Sequence, residues 1–521
     1  MNLHAGAQHS PTATSEKTAP QDLNRTSPVN GLFEGGSLLL AASVFGNGMN
    51  YLFMLFLARQ LGMEEFGLYA LGITIFNTLV LLVTTGVDSG AVKFVSDRLA
   101  FGDHAGARRI AAGAWLTATG AGGVLAVGLI LAASPVASSL YGKPGLAPVL
   151  FLLAAAIPCA IGTAVLLSVL QAYQTVRYTV LLKYLWEPLS KWGAAGLALA
   201  AGWGLVGVVG GVAATLLVSA VLAAVLLVRS ARVTRHDVAT VSGTDVRVLA
   251  VFCLPLLGAN VFGIVAPRMD VMLLGYWASS VDVGRYLVAF QTAAVLALVL
   301  GAFDVVFAPL MSRAWSTQDA VTMRDSYLAV HRMASMATMP IFVSVVAFRE
   351  EILALFGGAT GEAATALSIL AVGHFVNATT GGSSTVLLMT GRSRTVLLNT
   401  IIYGLGLGFA AVLLIPRWGI VGAALAASAA LVGVNLMRVW QVWQRHAVLP
   451  WTGQIMKPLA AGFAMGLLLW LAKPYLSPAW YIPLAGTGVA VYLTLLYALQ
   501  LNEDDRIAVV ATLGRLRPAR S

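Results

Sequence analysis

Charge is what this sequence most lacks. Asp, Glu, Lys and Arg make up 10% of its 521 residues, against about 25% in a soluble globular domain, which excludes a water-facing surface of ordinary extent. Cysteine is nearly absent too. Cys159 and Cys253 are the only two, each in an apolar stretch with no second Cys or His at ligand spacing, so they read as small core residues without disulfide or metal. No G-x-x-x-x-G-K-[ST] run occurs, so the chain carries no phosphate-binding loop for ATP. The first 30 residues lack the apolar core of a signal peptide and are rich in Ser, Thr and Pro. They read as a disordered cytoplasmic tail.

What is present is apolar length. Hydrophobic residues make up 58% of the chain, and about 20 of them in helix cross a hydrocarbon layer about 30 Å thick. The sequence on that rule predicts an all-α polytopic membrane protein of about fourteen transmembrane helices. The spans are 36–58, 66–87, 110–133, 147–170, 184–202, 205–227, 249–277, 285–311, 328–348, 364–388, 395–416, 419–440, 454–472 and 480–500. They are twice the length of barrel strands and lack their alternation, which excludes a β-barrel. A net charge of +10 invites a nucleic-acid reading, but its placement argues for topology instead. With both termini cytoplasmic, 24 of the 32 Lys and Arg fall inside and six outside, Arg59, Lys143, Arg285, Arg349, Arg417 and Lys473, as the positive-inside rule requires. That count places Arg332 and Arg438 with the cytoplasmic segments and leaves Lys191 and Arg268 within apolar spans.

An internal repeat organises the spans. Gly67-Leu68-Tyr69 answers Gly284-Arg285-Tyr286, Asp88 answers Asp304, Thr179-Val180-Leu181-Leu182 answers Thr395-Val396-Leu397-Leu398, and Trp203-Gly204-Leu205-Val206-Gly207 answers Trp418-Gly419-Ile420-Val421-Gly422, each pair 215–217 residues apart. Six spans separate equivalent positions, and six is even, so the copies share one orientation and form a parallel repeat. Such repeats are related by an axis along the bilayer normal, with the transport path between them. The expected organisation is a tail over 1–34, six-helix bundles over 35–247 and 248–450, two additional helices over 451–500, and a cytoplasmic tail over 501–521.

The segments LARQLGMEEFGLYALGITIF (57–76), TTGVDSGAVKFVSDRLAFGD (84–103), LPLLGANVFGIVAPRMDVMLLGYWASSVDVGRYLVAF (254–290), REEILALFGG (349–358), IPRWGIVGAALAA (415–427) and NEDDRIAVV (502–510) resemble polysaccharide flippases of the multidrug/oligosaccharidyl-lipid/polysaccharide exporter superfamily, over residues 33 to 512. The resemblance implies transport of a polyprenyl-pyrophosphate-linked oligosaccharide, a capsule, exopolysaccharide or O-antigen precursor, to the outer leaflet of a bacterial cytoplasmic membrane. It implies alternating access by two bundles about a cationic cavity. Membrane lipids, a polysaccharide polymerase and export machinery are the implied partners of a monomeric carrier, with no nucleic acid and no cofactor.

Ionisable groups within spans are costly, by about 2.5 to 3.5 kcal/mol on insertion scales, and therefore informative. Arg268, in Pro267-Arg268-Met269-Asp270, is the leading candidate for the pyrophosphate, because a guanidinium offers paired donors to phosphate oxygens. The competing reading is a structural ion pair with Asp270 or Asp304. Glu187 and Lys191 share one helix face and either neutralise each other or free Lys191 for a phosphate. Asp270, Glu187, Asp88 and Asp304 are the candidates for ion coupling or gating, the last two equally well explained by capping. Arg59, a further cavity candidate, and Arg285 either hold an outer gate or snorkel to headgroups, and for Arg285 snorkelling is the expectation. Asn50 and Asn260, with Asn47, Asn77 and Gln291, either line a sugar-accepting cavity or bond helices together. His374 and Asn377 lie one turn apart, His374 more simply a core residue than a proton carrier.

An enzyme of the same pathway needs a catalytic outer domain, and every predicted outer loop is too short to hold one. Within the superfamily, a drug or cation antiporter is disfavoured by the two extra spans. A lipid II flippase stands as the alternative for the substrate.

Overall fold

The computed structural model describes residues 28–173, 176–230, 251, 253, 261–357, 361–451 and 453–499, with the side chains of 28–40, 176 and 230 left aside. Among the described residues the chain is helical with no strand, and ten helices are long and apolar enough to cross a membrane. The first, α1 (Pro28–Ala100), leaves helical geometry at Gly62 (φ 77°) and again at Thr85–Gly86. Its 60-residue stretch Ala41–Ala100 would be about 90 Å long if straight, three bilayer cores end to end. The break at Gly62 therefore divides the first predicted span from the second. The chain after Gly86, beyond the end of the second predicted span, stays helical to Ala100.

The first half continues with α2 (His104–Pro135), α3 (Leu146–Ala172), α4 (Glu187–Ala200), which a π-helical stretch Val180–Trp186 precedes, and α5 (Gly204–Ser230). Asp103 starts α2 by accepting the Gly106 N–H at 2.7 Å and an Arg98 bond at 2.7 Å. Those two donors hold its carboxyl below the usual range. The second half holds α6 (Met269–Trp277), α7 (Ser280–Ser316), α8 (Ala320–Ala347), α9 (Glu362–Thr380), α10 (Gly382–Met389) and α11 (Ser393–His446). A capping box of Ser279 and Asp282 opens α7, which satisfies two N–H groups that the helix itself cannot. Two further helices follow, α12 (Met456–Ala472) and α13 (Tyr481–Ala498).

The repeat is visible in backbone angles. Gly204 and Gly419, equivalent residues of the two WG-x-x-G motifs, have φ of 54° and 50°, a conformation that a side chain disfavours. The closing glycines Gly207 and Gly422 lie against Trp203 and the Leu414 carbonyl, where a Cβ would overlap. A tight return is thus built on both glycines, and it divides α11 into two antiparallel lengths.

Packing groups α1 to α5 together and α6 to α11 together, and α1 meets α7 where the halves join. That junction is symmetric. A Cβ on Gly67 would overlap the Ser280 carbonyl, and one on Gly284 would stand 2.8 Å from the Met63 carbonyl, so repeat-equivalent glycines cross backbone to backbone. Deeper in, the Tyr51 hydroxyl and Thr292 Oγ1 are 2.9 Å apart, and the Tyr51 ring meets Phe356 edge-on at 5.6 Å. On the side predicted to face outward, Lys143 of the first half donates to the Gly275 carbonyl and, at 2.9 Å, to that of Ala278. A cation thereby caps the carbonyl end of α6. The last two helices build a separate core on α8 with Met339, Val343, Met465, Leu469 and Tyr492, and Lys473 ties them to Glu351 at 2.9 Å and the Ala347 carbonyl at 2.7 Å. Large apolar side chains such as Phe463, Trp470 and Ile482 stay exposed on their outer faces, as lipid contact demands.

Candidate functional site

The second half concentrates its intramembrane polarity around α6. Pro267 has no N–H to continue a helix, and Ala266–Arg268 forms a 3-10 turn before α6 begins. Gly404 and Gly408 of α11 let that turn approach: a Cβ on Gly404 would lie 3.1 Å from Ala266 Cβ, and one on Gly408 3.4 Å from Met269 Cε. Asp270 is buried, as is Tyr286. One Asp270 oxygen accepts the Val271 N–H at 2.8 Å and the other accepts the Tyr286 hydroxyl. Tyr403 stands within electrostatic reach of both Asp270 and Arg438. Arg438 donates to Asn435 Oδ1 at 3.3 Å, and Asn435 donates to Asn377 Oδ1 at 2.9 Å. Two bonded groups result, Tyr286 with Asp270 and Arg438 with Asn435 and Asn377, and Tyr403 lies within electrostatic reach of both. His374 lies one turn before Asn377, its ring 5.7 Å edge-on from Phe290 and its Nδ1 buried without a partner.

Arg268 is half-buried. Among the described residues it makes no ion pair. Asp270, two residues on, is engaged by Tyr286, and Asp304 instead accepts the Thr385 hydroxyl at 3.0 Å. Among the described residues neither carboxylate forms an ion pair with Arg268, although Asp270 lies within electrostatic reach of it.

In the first half, Lys191 Nζ is 3.9 Å from Glu187 Oε2 on the shared face of α4, with side chains 20% and 18% exposed. That is a loose pair just past the π-helical stretch, a feature frequent at functional sites. Trp192 anchors α4 to α1 by donating to the Met49 carbonyl at 3.3 Å, and Gly46 gives room to Tyr184. Asn50, exposed on the same length of α1, donates to the Gly46 carbonyl of its own helix at 3.0 Å. Asn260 lies outside the described residues. Arg59 is exposed near the end of the first helical length, close to Gly357.

Asp88 and Asp304 differ in their bonds. Asp88 accepts the N–H groups of Gly86 and Ser89 at 3.2 and 2.8 Å, closing the kink in α1, whereas α7 is unbroken at Asp304. Arg285, expected to reach for headgroups, is partly exposed and approaches Asp282 at 4.0 Å.

Tyr403, Arg438, Asn435 and Lys143 are the residues that sequence reasoning passed over. Arg438 had a signal, since it falls inside the predicted span 419–440, and Tyr403 had one in standing 216 positions after Glu187. Lys143 had none, because its partners are main-chain carbonyls.

The family described as polysaccharide biosynthesis protein matches residues 56–365 of this chain. No curated protein matches it. Among solved structures, the lipid II flippase MurJ in an inward closed conformation aligns with a TM-score of 0.72 at 14% identity, covering 88% of this chain and 97% of that one. An inward-facing multidrug resistance MATE family transporter of the MOP superfamily aligns with a TM-score of 0.65 at 14% identity, covering 77% and 94%. A MOP superfamily transporter from Pyrococcus furiosus, described as having a binding pocket of reverse polarity, aligns at 0.56 and 17% identity, covering 82% and 99%. At these identities the likeness is one of fold.

Proposed function

The chain belongs to the polysaccharide biosynthesis protein family, and from that premise we propose that it flips a polyprenyl-pyrophosphate-linked oligosaccharide across a bacterial cytoplasmic membrane by alternating access. The carrier is a multi-pass membrane protein of the superfamily's transporter fold. In this reading both termini are cytoplasmic, the bundles 35–247 and 248–450 rock about their glycine junction, and 451–500 is an appendage. The carrier acts as a monomer that hands its cargo to a polymerase and export machinery. It performs no chemistry on that cargo.

The observation that carries the reading is Arg268. An apolar span keeps an arginine there, at a helix break, while the nearest carboxylate in sequence is satisfied by Tyr286. A guanidinium that makes no direct ion pair among the described residues, with Asp270 acting on it only from a distance, suits a pyrophosphate, whose oxygens accept two parallel N–H bonds. Lys191, held by Glu187 at only 3.9 Å, is the second cation for the same anion, with Arg59, Asn50 and Asn260 as further cavity contacts. Asp270 and Glu187 serve ion coupling, and Asp88 and Asp304 gating.

The test is the leaflet in which lipid-linked oligosaccharide accumulates. Deletion of the gene leads to accumulation facing the cytoplasm. Arg268→Ala reproduces that defect, and Arg268→Lys, which keeps the charge without the planar fork, restores it only in part. Accumulation on the outer leaflet, or full export by Arg268→Ala, overturns the proposal. The lipid II flippase reading shares this pyrophosphate chemistry and the two additional helices. Which lipid builds up in the deletion strain separates the two.

A further inference from the structure

We propose that the end of the second half where α7, α8 and α11 meet is a binding site for the phosphate of an anionic lipid headgroup. The chain there turns from α7 to α8 through Thr317–Asp319, with Gln318 at φ 55°, beside the C-terminal end of α11. A cavity of about 280 Å³ opens between these helices and α10. Its floor is apolar, with Met311, Met323, Val386 and Val442, and its rim carries Arg324 from α8 with Arg445 and His446 from α11. A second cavity of about 620 Å³ adjoins it, sharing Met323 and His446 and adding Trp315 and Gln318.

Charge at this place is of one sign. No carboxylate lines either cavity. The nearest acid in the turn, Asp319, is occupied as the cap of α8, accepting the Thr322 N–H at 2.9 Å and the Thr322 hydroxyl at 2.6 Å. Asp325 is exposed and outside both linings. Arg324 and Arg445 make no ion pair among the described residues, and the charges of Arg392 and Arg445 both act on His446. Arg324 thus shares a cavity with His446, on which Arg392 and Arg445 also act, and among the described residues none of the three arginines is in an ion pair.

The positive-inside rule accounts for cations at a cytoplasmic helix end, but not for two of them sharing a cavity with an apolar floor. That combination fits an amphiphile: phosphate oxygens between Arg324 and Arg445, and the first carbons of a chain against the methionines and valines. Trp315, partly exposed and 6.2 Å edge-on from His446, marks the headgroup level, where indoles concentrate. Basic pockets between transmembrane helices on the cytoplasmic side recognise anionic headgroups in this way. Two sources offer the chemistry, an anionic phospholipid of the bilayer and the pyrophosphate of a lipid-linked sugar.

The experiment follows thermal unfolding of the full-length protein in a neutral detergent while phosphatidylglycerol, phosphatidylcholine of the same chains, or inorganic pyrophosphate is added. The expected result is that phosphatidylglycerol raises the midpoint, phosphatidylcholine does not, and Arg324→Gln with Arg445→Gln weakens the effect at least tenfold. Protection by pyrophosphate with the same dependence on the two arginines supports the site and assigns it to the lipid-linked sugar. The double Lys variant keeps the charges and retains most of the effect, which separates loss of binding from loss of fold. Equal protection of the wild type and the double Gln variant, or protection by neither anion, overturns the proposal. The readout is binding, so it stands or falls independently of transport.

Discussion

Substituting Gly67 by alanine tests whether the glycine crossing closes the side predicted to face outward. A Cβ there would overlap the Ser280 carbonyl oxygen and stand 2.6 Å from its carbon, against about 3.5–4.0 Å for carbon atoms in contact. The opposing atom is backbone and no rotamer change relieves it, so α1 and α7 must part by about 1 Å. Overpacking of this kind costs about 1–3 kcal/mol, and charged only to the state in which the helices touch, it shifts the two-state population by about 5–150-fold toward the state in which they separate. Gly284→Ala meets the Met63 carbonyl oxygen at 2.8 Å and shifts it less. Gly48→Ala, with nothing within 4 Å, leaves it unchanged. Spin labels at the exposed Glu64 and Glu362, after replacement of Cys159 and Cys253, report the separation as a distance distribution. If Gly67→Ala gives the wild-type distribution, or if Gly48→Ala moves it as far, the crossing is not the closing contact.

Lys143→Met removes the cation that caps α6 from across the junction, and it shifts the same labels in the same direction by about 1 kcal/mol once solvent screening is allowed for; a variant indistinguishable from wild type means the bond is incidental. Tyr286→Phe leaves a buried Asp270 oxygen without its donor and lowers stability by about 1–3 kcal/mol, read as a drop in thermal midpoint that Asp270→Asn paired with it partly reverses. Asn399 and Gln441 exchange two amide bonds of 2.8 and 2.9 Å between the two lengths of α11; Asn399→Ala therefore costs about 0.6–1.7 kcal/mol, and an unchanged midpoint would show that the pair finds other partners.

The helices were legible because their signals are local. Apolar length gives spans, and the WG-x-x-G motifs give the returns that Gly204 and Gly419 make with φ near 50°. The repeat was legible for the same reason, although Gly67 and Gly284 could be matched only in sequence, not seen to touch. What escaped are contacts between a side chain and distant main chain. Lys143 bonds carbonyls more than 130 residues away, and carbonyls carry no sequence signature. Arg438 escaped for a different reason, since its place near the end of a span gave it a topological explanation that made a buried role unnecessary. The kink at Thr85–Gly86 was hidden because the sequence on either side is equally helical, and Asp88, which closes it, resembled a gate residue only through its match to Asp304.

The two halves kept their geometry and exchanged their chemistry. Repeat-equivalent glycines meet at the junction and turn at the returns, positions where any side chain changes the backbone path. At the polar positions the correspondence fails. Glu187 in the first half is answered by Tyr403 in the second, and Asp270 falls opposite Phe53 at the offset that aligns Tyr69 with Tyr286. Tyr69 is buried in an apolar setting, whereas Tyr286 donates to a carboxylate. The first half therefore holds a loose, partly exposed acid–base pair and the second a buried, fully bonded acid. Arg268, answered in the first half by the neutral Tyr51, is a further position at which the second half holds a charge that the first does not.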